Sequence, residues 1–113
     1  MAFNDLEFHA IKKEVEVFVE SIRPPVHIRD GLDIVFTIDD QSIEIGEKRP
    51  VWRGEPGEFS VLASVKITYV RTGSEWKLYW MRASERWELY QTVDTLTEAL
   101  EIVRADTHCC FFG

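Results

Sequence analysis

The sequence predicts an α+β domain: a five-stranded antiparallel meander sheet with an N-terminal and a C-terminal helix packed on one face, in the order α-β-β-β-β-β-α. Three observations lead there. Near the two ends of the chain, apolar residues recur at three- and four-residue intervals, the spacing of helices with one buried stripe. Between those ends apolar and polar residues alternate in short runs, the period of half-buried strands. The runs are joined by short segments rich in Asp, Gly and Ser, which suits strands that reverse direction better than parallel crossovers.

The first helix carries explicit start signals. Asn4 stands three residues before Glu7, the spacing of a capping box, and Phe3 and Phe8 have the spacing of a hydrophobic staple. Phe8, Ile11, Val15, Phe18, Val19 and Ile22 then form the stripe, with Lys12, Lys13, Glu16 and Glu20 opposite. Pro24-Pro25 ends it, because the residue before a proline is pushed out of the α region and prolines donate no hydrogen bond. After a turn at His27 to Gly31, Leu32 to Ile38 alternates with its even positions apolar. Asp39-Asp40-Gln41 reverses the chain, and Ser42 to Glu47 returns it with Ile43 and Ile45 inward, making a hairpin.

Lys48 to Glu58 contains Pro50, Gly54, Pro56 and Gly57 and reads as the one long loop, with Trp52 folding back onto the core. Phe59 to Arg71 is the third strand, with Val61, Ala63, Val65, Ile67 and Tyr69 on one face and Ser64, Lys66 and Thr68 on the other. Trp76 to Arg82 follows the turn Thr72-Gly73-Ser74. Here Trp76, Leu78 and Trp80 share one face while Lys77, Tyr79 and Met81 share the other, so both sides are largely apolar. That marks a central strand, or one whose second face meets a partner. Arg86 to Gln91 is the fifth strand, with Trp87 and Leu89 on one face and Tyr90 on the other. Thr95 and Glu98 repeat the capping-box spacing and open a helix striped by Leu96, Ala99, Leu100 and Val103, ending near Asp106. Phe111 and Phe112 of the tail are expected to dock on the domain or on another subunit.

At 113 residues, with 45% hydrophobic and 12% aromatic content, the chain fits one domain, 1–113, and is too short for two ordinary ones. No apolar run approaches the ~20 residues that cross a bilayer, and no basic-then-apolar leader opens the chain, so a cytoplasmic location away from membranes is expected. The adjacent Cys109 and Cys110 cannot bridge distant segments, which fits a reducing compartment. The net charge of −7 is uneven. The helical ends are acidic, whereas residues 48–87 carry eight bases against four acids. An acidic chain repels nucleic acid at long range, although a basic face acts locally.

Candidate chemistry is sparse. There is no glycine-rich phosphate loop, no nucleophile elbow and no HExxH. His108, Cys109 and Cys110, completed by His27 or His9, are weak metal candidates, because structural zinc wants ligand pairs separated by two to four residues; burial of the thiols is the better reading, and no cofactor is expected. Glu75-Trp76-Lys77 with Asp39 or Asp40 has the acid-x-lysine arrangement of magnesium-dependent nucleases, a match short enough to arise by chance. The strongest case for a site is the sheet face turned away from the helices: Lys66, Lys77, Tyr79 and Met81, with Arg86 and Tyr90 alongside. Cations interleaved with aromatics suit stacking of unpaired bases, and Tyr, Met and Arg are equally favoured where proteins meet. Acidic net charge tips the balance toward a protein partner or self-association over nucleic acid.

Arg23-Pro24-Pro25 with His27-Ile28-Arg29, Arg49-Pro50-Val51-Trp52, Lys66-Ile67-Thr68-Tyr69-Val70, Trp76 to Ala83 (WKLYWMRA), Trp87 with Tyr90, and the ending Cys110-Phe111-Phe112-Gly113 resemble the bacterial family called Domain of Unknown Function 3024 over nearly the whole chain. The resemblance leads one to expect a smaller, non-thiol residue where Cys109 stands. The resemblance implies a stand-alone bacterial domain and carries no catalytic residues. The sequence therefore points to a small binding or interaction domain without catalytic activity, with single-stranded nucleic-acid binding as the alternative and a nuclease-like enzyme a distant third.

Overall fold

A computed structural model describes residues 3–51 and 57–105 of the chain. The elements are α1 (Asp5–Ile22), β1 (Asp33–Asp39), β2 (Ser42–Pro50), β3 (Phe59–Val70), β4 (Glu75–Met81), β5 (Trp87–Val93) and α2 (Leu96–Ala105). The strands form one sheet in the order β1-β2-β3-β4-β5, each neighbour antiparallel to the next. This is the α-β5-α meander that the alternation predicts.

At the start of α1 the Asn4 side chain accepts from the Glu7 N–H at 2.8 Å, and the Asn4 N–H donates to Glu7 Oε1 at 3.0 Å. The capping box thus satisfies two backbone N–H donors that an uncapped helix leaves to water. Ile11, Val15, Phe18 and Val19 are the buried stripe. The staple is not made as expected: Phe8 is exposed, and the Phe3 ring instead lies 6.0 Å from Trp76 and 6.4 Å from Tyr69. Staple spacing offers Phe3 one local partner, but the sheet offers two aromatic ones with more area to bury. At the other end Arg23 caps the helix in extended conformation and forks onto Asp33, with Nε and Nη2 each 2.8 Å from its carboxylate oxygens. The guanidinium holds the Asp33 carboxyl below its ordinary value, aided by the Ile34 N–H.

Leu96, Ala99, Leu100 and Val103 of α2 join the α1 stripe over one face of the sheet. The sheet contributes Ile43, Ile45, Val65, Ile67 and Leu78, all fully buried. Burying a side chain of this size contributes roughly 1.5–3 kcal/mol each, so the helices are held by the sheet and not by their own propensity.

Two irregularities in the ladder change which residues face where. In β3, Val65 pairs with Ile45 but Ala63 pairs with Gly46, so Ser64 is an extra residue. Val65, Ile67 and Tyr69 keep their predicted place toward the helices, whereas Val61 and Ala63 turn to the opposite face. In β5, Gln91 pairs with Leu78 but Leu89 pairs with Tyr79, so Tyr90 is extra. A bulge inverts the alternation beyond it. Gly46 sits beside the first bulge, where an added Cβ would stand 2.6 Å from the Leu62 carbonyl oxygen and 2.9 Å from the Ala63 Cα. The bulged strand has closed onto it, and no larger residue fits without moving backbone.

The predicted loop also shortens, because β2 runs on to Pro50, paired with Phe59. Proline is tolerated there because β1 stops at Lys48's partner Asp33, leaving β2 with a neighbour on one side alone. Trp52, Phe111 and Phe112 lie outside the described residues, as do His108, Cys109 and Cys110.

Candidate functional site

Both helices lie over one face of the sheet, and among the described residues no element covers the other. Its composition follows from the register. One row across all five strands reads Thr37, Glu44, Lys66, Tyr79 and Leu89; the next reads Asp39, Ser42, Thr68, Lys77 and Thr92. On the other side of the first row come Val35, Gly46 and Ala63, with Met81 paired to Trp87 on β4 and β5. The structure therefore brings Lys66, Lys77, Tyr79 and Met81 together on this face. Arg86 is exposed in the β4–β5 turn, where its carbonyl accepts the Arg82 N–H at 3.0 Å.

Tyr90 is not on this face. As the bulge residue of β5 it is turned toward the helices and packs against the core. Its neighbours take its place: Trp87 is partly buried, and Leu89 is 48% exposed. Val61 and Phe59, at 58% and 44% exposed, extend the apolar surface along β3. Trp87, Leu89 and Val61 are the members that the alternation missed, whereas Glu44 stands where the alternation of Ile43 and Ile45 puts it. The one trace in the sequence is the adjacency of Leu89 and Tyr90, two large apolar residues that strict alternation cannot both bury.

The cations of the face are lysines. The Lys66 ammonium lies 6.0 Å from the centre of the Trp87 ring, and Lys48 lies 4.5 Å from that of Phe59. Such contacts keep the charge outward over an aromatic floor. Three of the five arginines of the basic stretch are committed elsewhere: Arg49 to Glu47 at 2.7 Å, Arg71 to Glu7 at 2.8 Å and Arg82 to Glu88 at 2.8 Å. Part of the apparent basicity of residues 48–87 is thereby neutralised. Glu44, opposite Lys66 in the register, makes no ion pair among the described residues, and it borders a shallow depression of about 190 Å3 lined by Val35, Thr37, Gly46, Val61 and Ala63.

The nuclease-like arrangement is not assembled. Asp39 and Lys77 share a register row, but β2 and β3 separate them, and three strand spacings amount to ~14 Å. No group of three or more His, Cys, Asp and Glu among the described residues is placed to hold a metal ion. No described helix is long and apolar enough to cross a membrane.

With this geometry in view, comparison with known families is decisive on kinship. The model of the domain of unknown function DUF3024 matches residues 3–113. The chain belongs to DUF3024. The match spans both helices and all five strands, so the bulged meander with one uncovered face is the architecture of a DUF3024 member, and the description of the family brings no activity or site residue with it. Neither a curated protein nor a solved structure matches the chain.

Proposed function

We propose that this DUF3024 domain is a non-catalytic binding module that engages a protein surface through the uncovered face of its sheet, in the cytoplasm. The observation that carries the reading is the row Lys66, Tyr79 and Leu89 with the pair Met81 and Trp87 beside it. These are apolar and amphipathic side chains gathered on a face that no described element buries. Tyr, Trp and Met are the residue types enriched at the centres of protein interfaces, because they supply area and soft contacts at low entropic cost. The intermediate burial of Lys66, Lys77, Tyr79, Met81 and Trp87 supports the same reading, since side chains already held by neighbours lose little freedom on binding. The adjacent Cys109 and Cys110 support the reducing compartment.

A second reading, binding of single-stranded nucleic acid, draws on the Lys66–Trp87 contact beside Tyr79. Commitment of three arginines to carboxylates, Glu44 and Asp39 on the same face, and the net charge of −7 oppose it. Photo-crosslinking in the native cell separates the readings. A benzophenone amino acid in place of Tyr79 gives adducts of protein mass, while the same group in place of Lys13 on the outer side of α1 gives none. Nucleic-acid adducts at position 79 would favour the second reading, and absence of adducts there would remove both.

A further inference from the structure

We infer that the outer edge of β1 docks an extended strand of a partner protein, antiparallel like every other neighbour in the sheet, with apolar residues at alternate positions and a basic residue opposite Asp39. This is a surface apart from the uncovered face, and it stands or falls separately. The first argument is the backbone. β1 has a neighbour on one side alone, β2. A two-residue turn joins them, so Asp39 and Ser42 exchange both ladder bonds, and the register runs unbroken from there to Asp33 and Lys48. Val35 and Thr37 therefore spend their N–H and C=O groups on β2, while those of Phe36 and Ile38 point outward. The outward Ile34 N–H is taken by Asp33 Oδ1 at 2.8 Å. Among the described residues nothing takes those of Phe36 and Ile38. An extended chain presents groups at the spacing that answers them. Edges are ordinarily blunted by charges, prolines or bulges. The free end of β2 has Lys48, Arg49 and Pro50, that of β3 is set off by the bulge at Ser64, and β5 has Glu88 and the bulge at Tyr90. Ile34 to Ile38 has none of these.

The second argument is shape. A hollow of about 270 Å3 lies between Val19, Glu20 and Arg23 of α1 and Ile34, Val35 and Phe36 of β1. Ile34 and Phe36 face the helices and Val35 faces away, so a hollow that touches all three follows the strand edge itself. It is smaller than the ~300–1,000 Å3 of small-molecule sites and suits an inward side chain of an added strand. Its charges are already answered, Arg23 by Asp33 at 2.8 Å and by Glu20 at 2.7 Å. The remaining walls, Val19, Ile34 and Phe36, select an apolar side chain. The third argument is charge at the other end of the strand. Asp39 and Asp40 are exposed and in no ion pair among the described residues, so a basic residue of the partner fits there. A second copy fits worse, because a two-fold that pairs the whole of β1 with itself sets Asp33 of each copy opposite Asp39 of the other.

The probe is a labelled peptide, acetyl-Lys-Val-Thr-Val-Thr-Val-Thr, whose valines pair with Ile34, Phe36 and Ile38 on the helix side when its lysine lies opposite Asp39. Fluorescence anisotropy with the full chain is expected to show saturable binding with a midpoint below about 1 mM. Amide exchange followed by NMR is expected to slow about tenfold or more at Phe36 and Ile38, with Val35 and Thr37 unchanged because β2 already protects them. In this register the valine N–H groups point at β1 and the threonine N–H groups point away. N-methylation of the valines therefore abolishes binding and N-methylation of the threonines does not. Asp39→Lys is expected to weaken the peptide about tenfold and to favour a version with glutamate in place of its lysine, with far-UV circular dichroism confirming the fold. No saturable binding up to about 1 mM, equal loss on methylating either set, or unchanged exchange at Phe36 and Ile38 overturns the inference. Indifference to Asp39→Lys overturns the basic residue. Protection of Phe36 and Ile38 that grows with the concentration of the chain alone makes a second copy the occupant and overturns the partner strand. None of these results bears on crosslinking at Tyr79, so the binding face and the edge are judged separately.

Discussion

Replacing Gly46 with alanine isolates the structural device that shapes the uncovered face. The new methyl carbon would stand 2.6 Å from the Leu62 carbonyl oxygen, 2.9 Å from the Ala63 Cα and 3.0 Å from the Leu62 carbonyl carbon. All three are backbone atoms of β3, so no side chain can swing aside. β3 must move by several tenths of an ångström at the bulge, straining the register on both sides of it. Strain of this kind costs typically 1–3 kcal/mol. Alanine also restricts the unfolded chain, which offsets ~0.4–1 kcal/mol. The net expectation is a loss of about 1–2 kcal/mol in urea unfolding with an unchanged slope. Gly31→Ala is the matched control: its nearest neighbour would be the Ile28 carbonyl oxygen at 3.7 Å, an ordinary contact, so it gains the entropic term without the strain. If Gly46→Ala is neutral or stabilising, as Gly31→Ala is expected to be, the close approach of β2 and β3 at the bulge is refuted.

Two neighbours on β4 report the two faces of the sheet. Leu78→Ala removes a fully buried side chain and is expected to lose about 3–5 kcal/mol, whereas Tyr79→Ala, on the uncovered face, is expected to stay within about 1 kcal/mol; equal losses in thermal unfolding would contradict the assignment of faces. Glu7 supplies a pH dependence. Its fork onto Arg71, together with the Asn4 N–H, holds its carboxyl well below the ordinary value, at about 2. A depressed folded pKa contributes stability that is complete above the carboxylate's ordinary range and is lost as pH falls toward 2. Glu7→Gln keeps the capping box and removes the charge, so the gap between wild type and variant is expected to be constant above about pH 5 and to shrink below it. The pair is about one-third exposed, so the gap also shrinks in high salt; a gap that grows on acidification would show that the ion pair is not formed. In fluorescence anisotropy at low salt, an oligothymidylate is expected not to bind. Saturable binding that falls steeply with salt and is lost in Lys66→Ala/Lys77→Ala would favour nucleic acid over a protein partner.

How far the sequence carries can be judged at particular residues. Asn4 with Glu7, the α1 stripe and the alternation of Ile43, Ile45, Ile67 and Leu78 were all legible, because capping and core burial demand particular residue types at fixed spacings. The bulges at Ser64 and Tyr90 were not. Each depends on one inserted residue of no required type, and recognising it needs the partner strand, since register is a property of pairs. That single blind spot displaced Tyr90 into the candidate site and left out Trp87, Leu89 and Val61. Phe3 failed for a related reason, as tertiary partners outcompeted the local staple. Lys66, Lys77, Tyr79 and Met81 came out on the uncovered face because they lie between the bulges, where alternation holds. The neutralisation of Arg71 by Glu7, sixty-four residues away, was likewise beyond any local pattern.

The claim that the uncovered face is used for binding is tested most directly by radical footprinting in the native cell. Met, Trp and Tyr side chains oxidise readily when exposed to solvent, and Met81, Trp87 and Tyr79 place all three types on this face. Labelling of these residues is expected to be several-fold lower in the cell than in dilute purified protein, while Phe8 and His9 on α1 label alike in both. Equal labelling of Met81, Trp87 and Tyr79 in the two conditions would contradict the account.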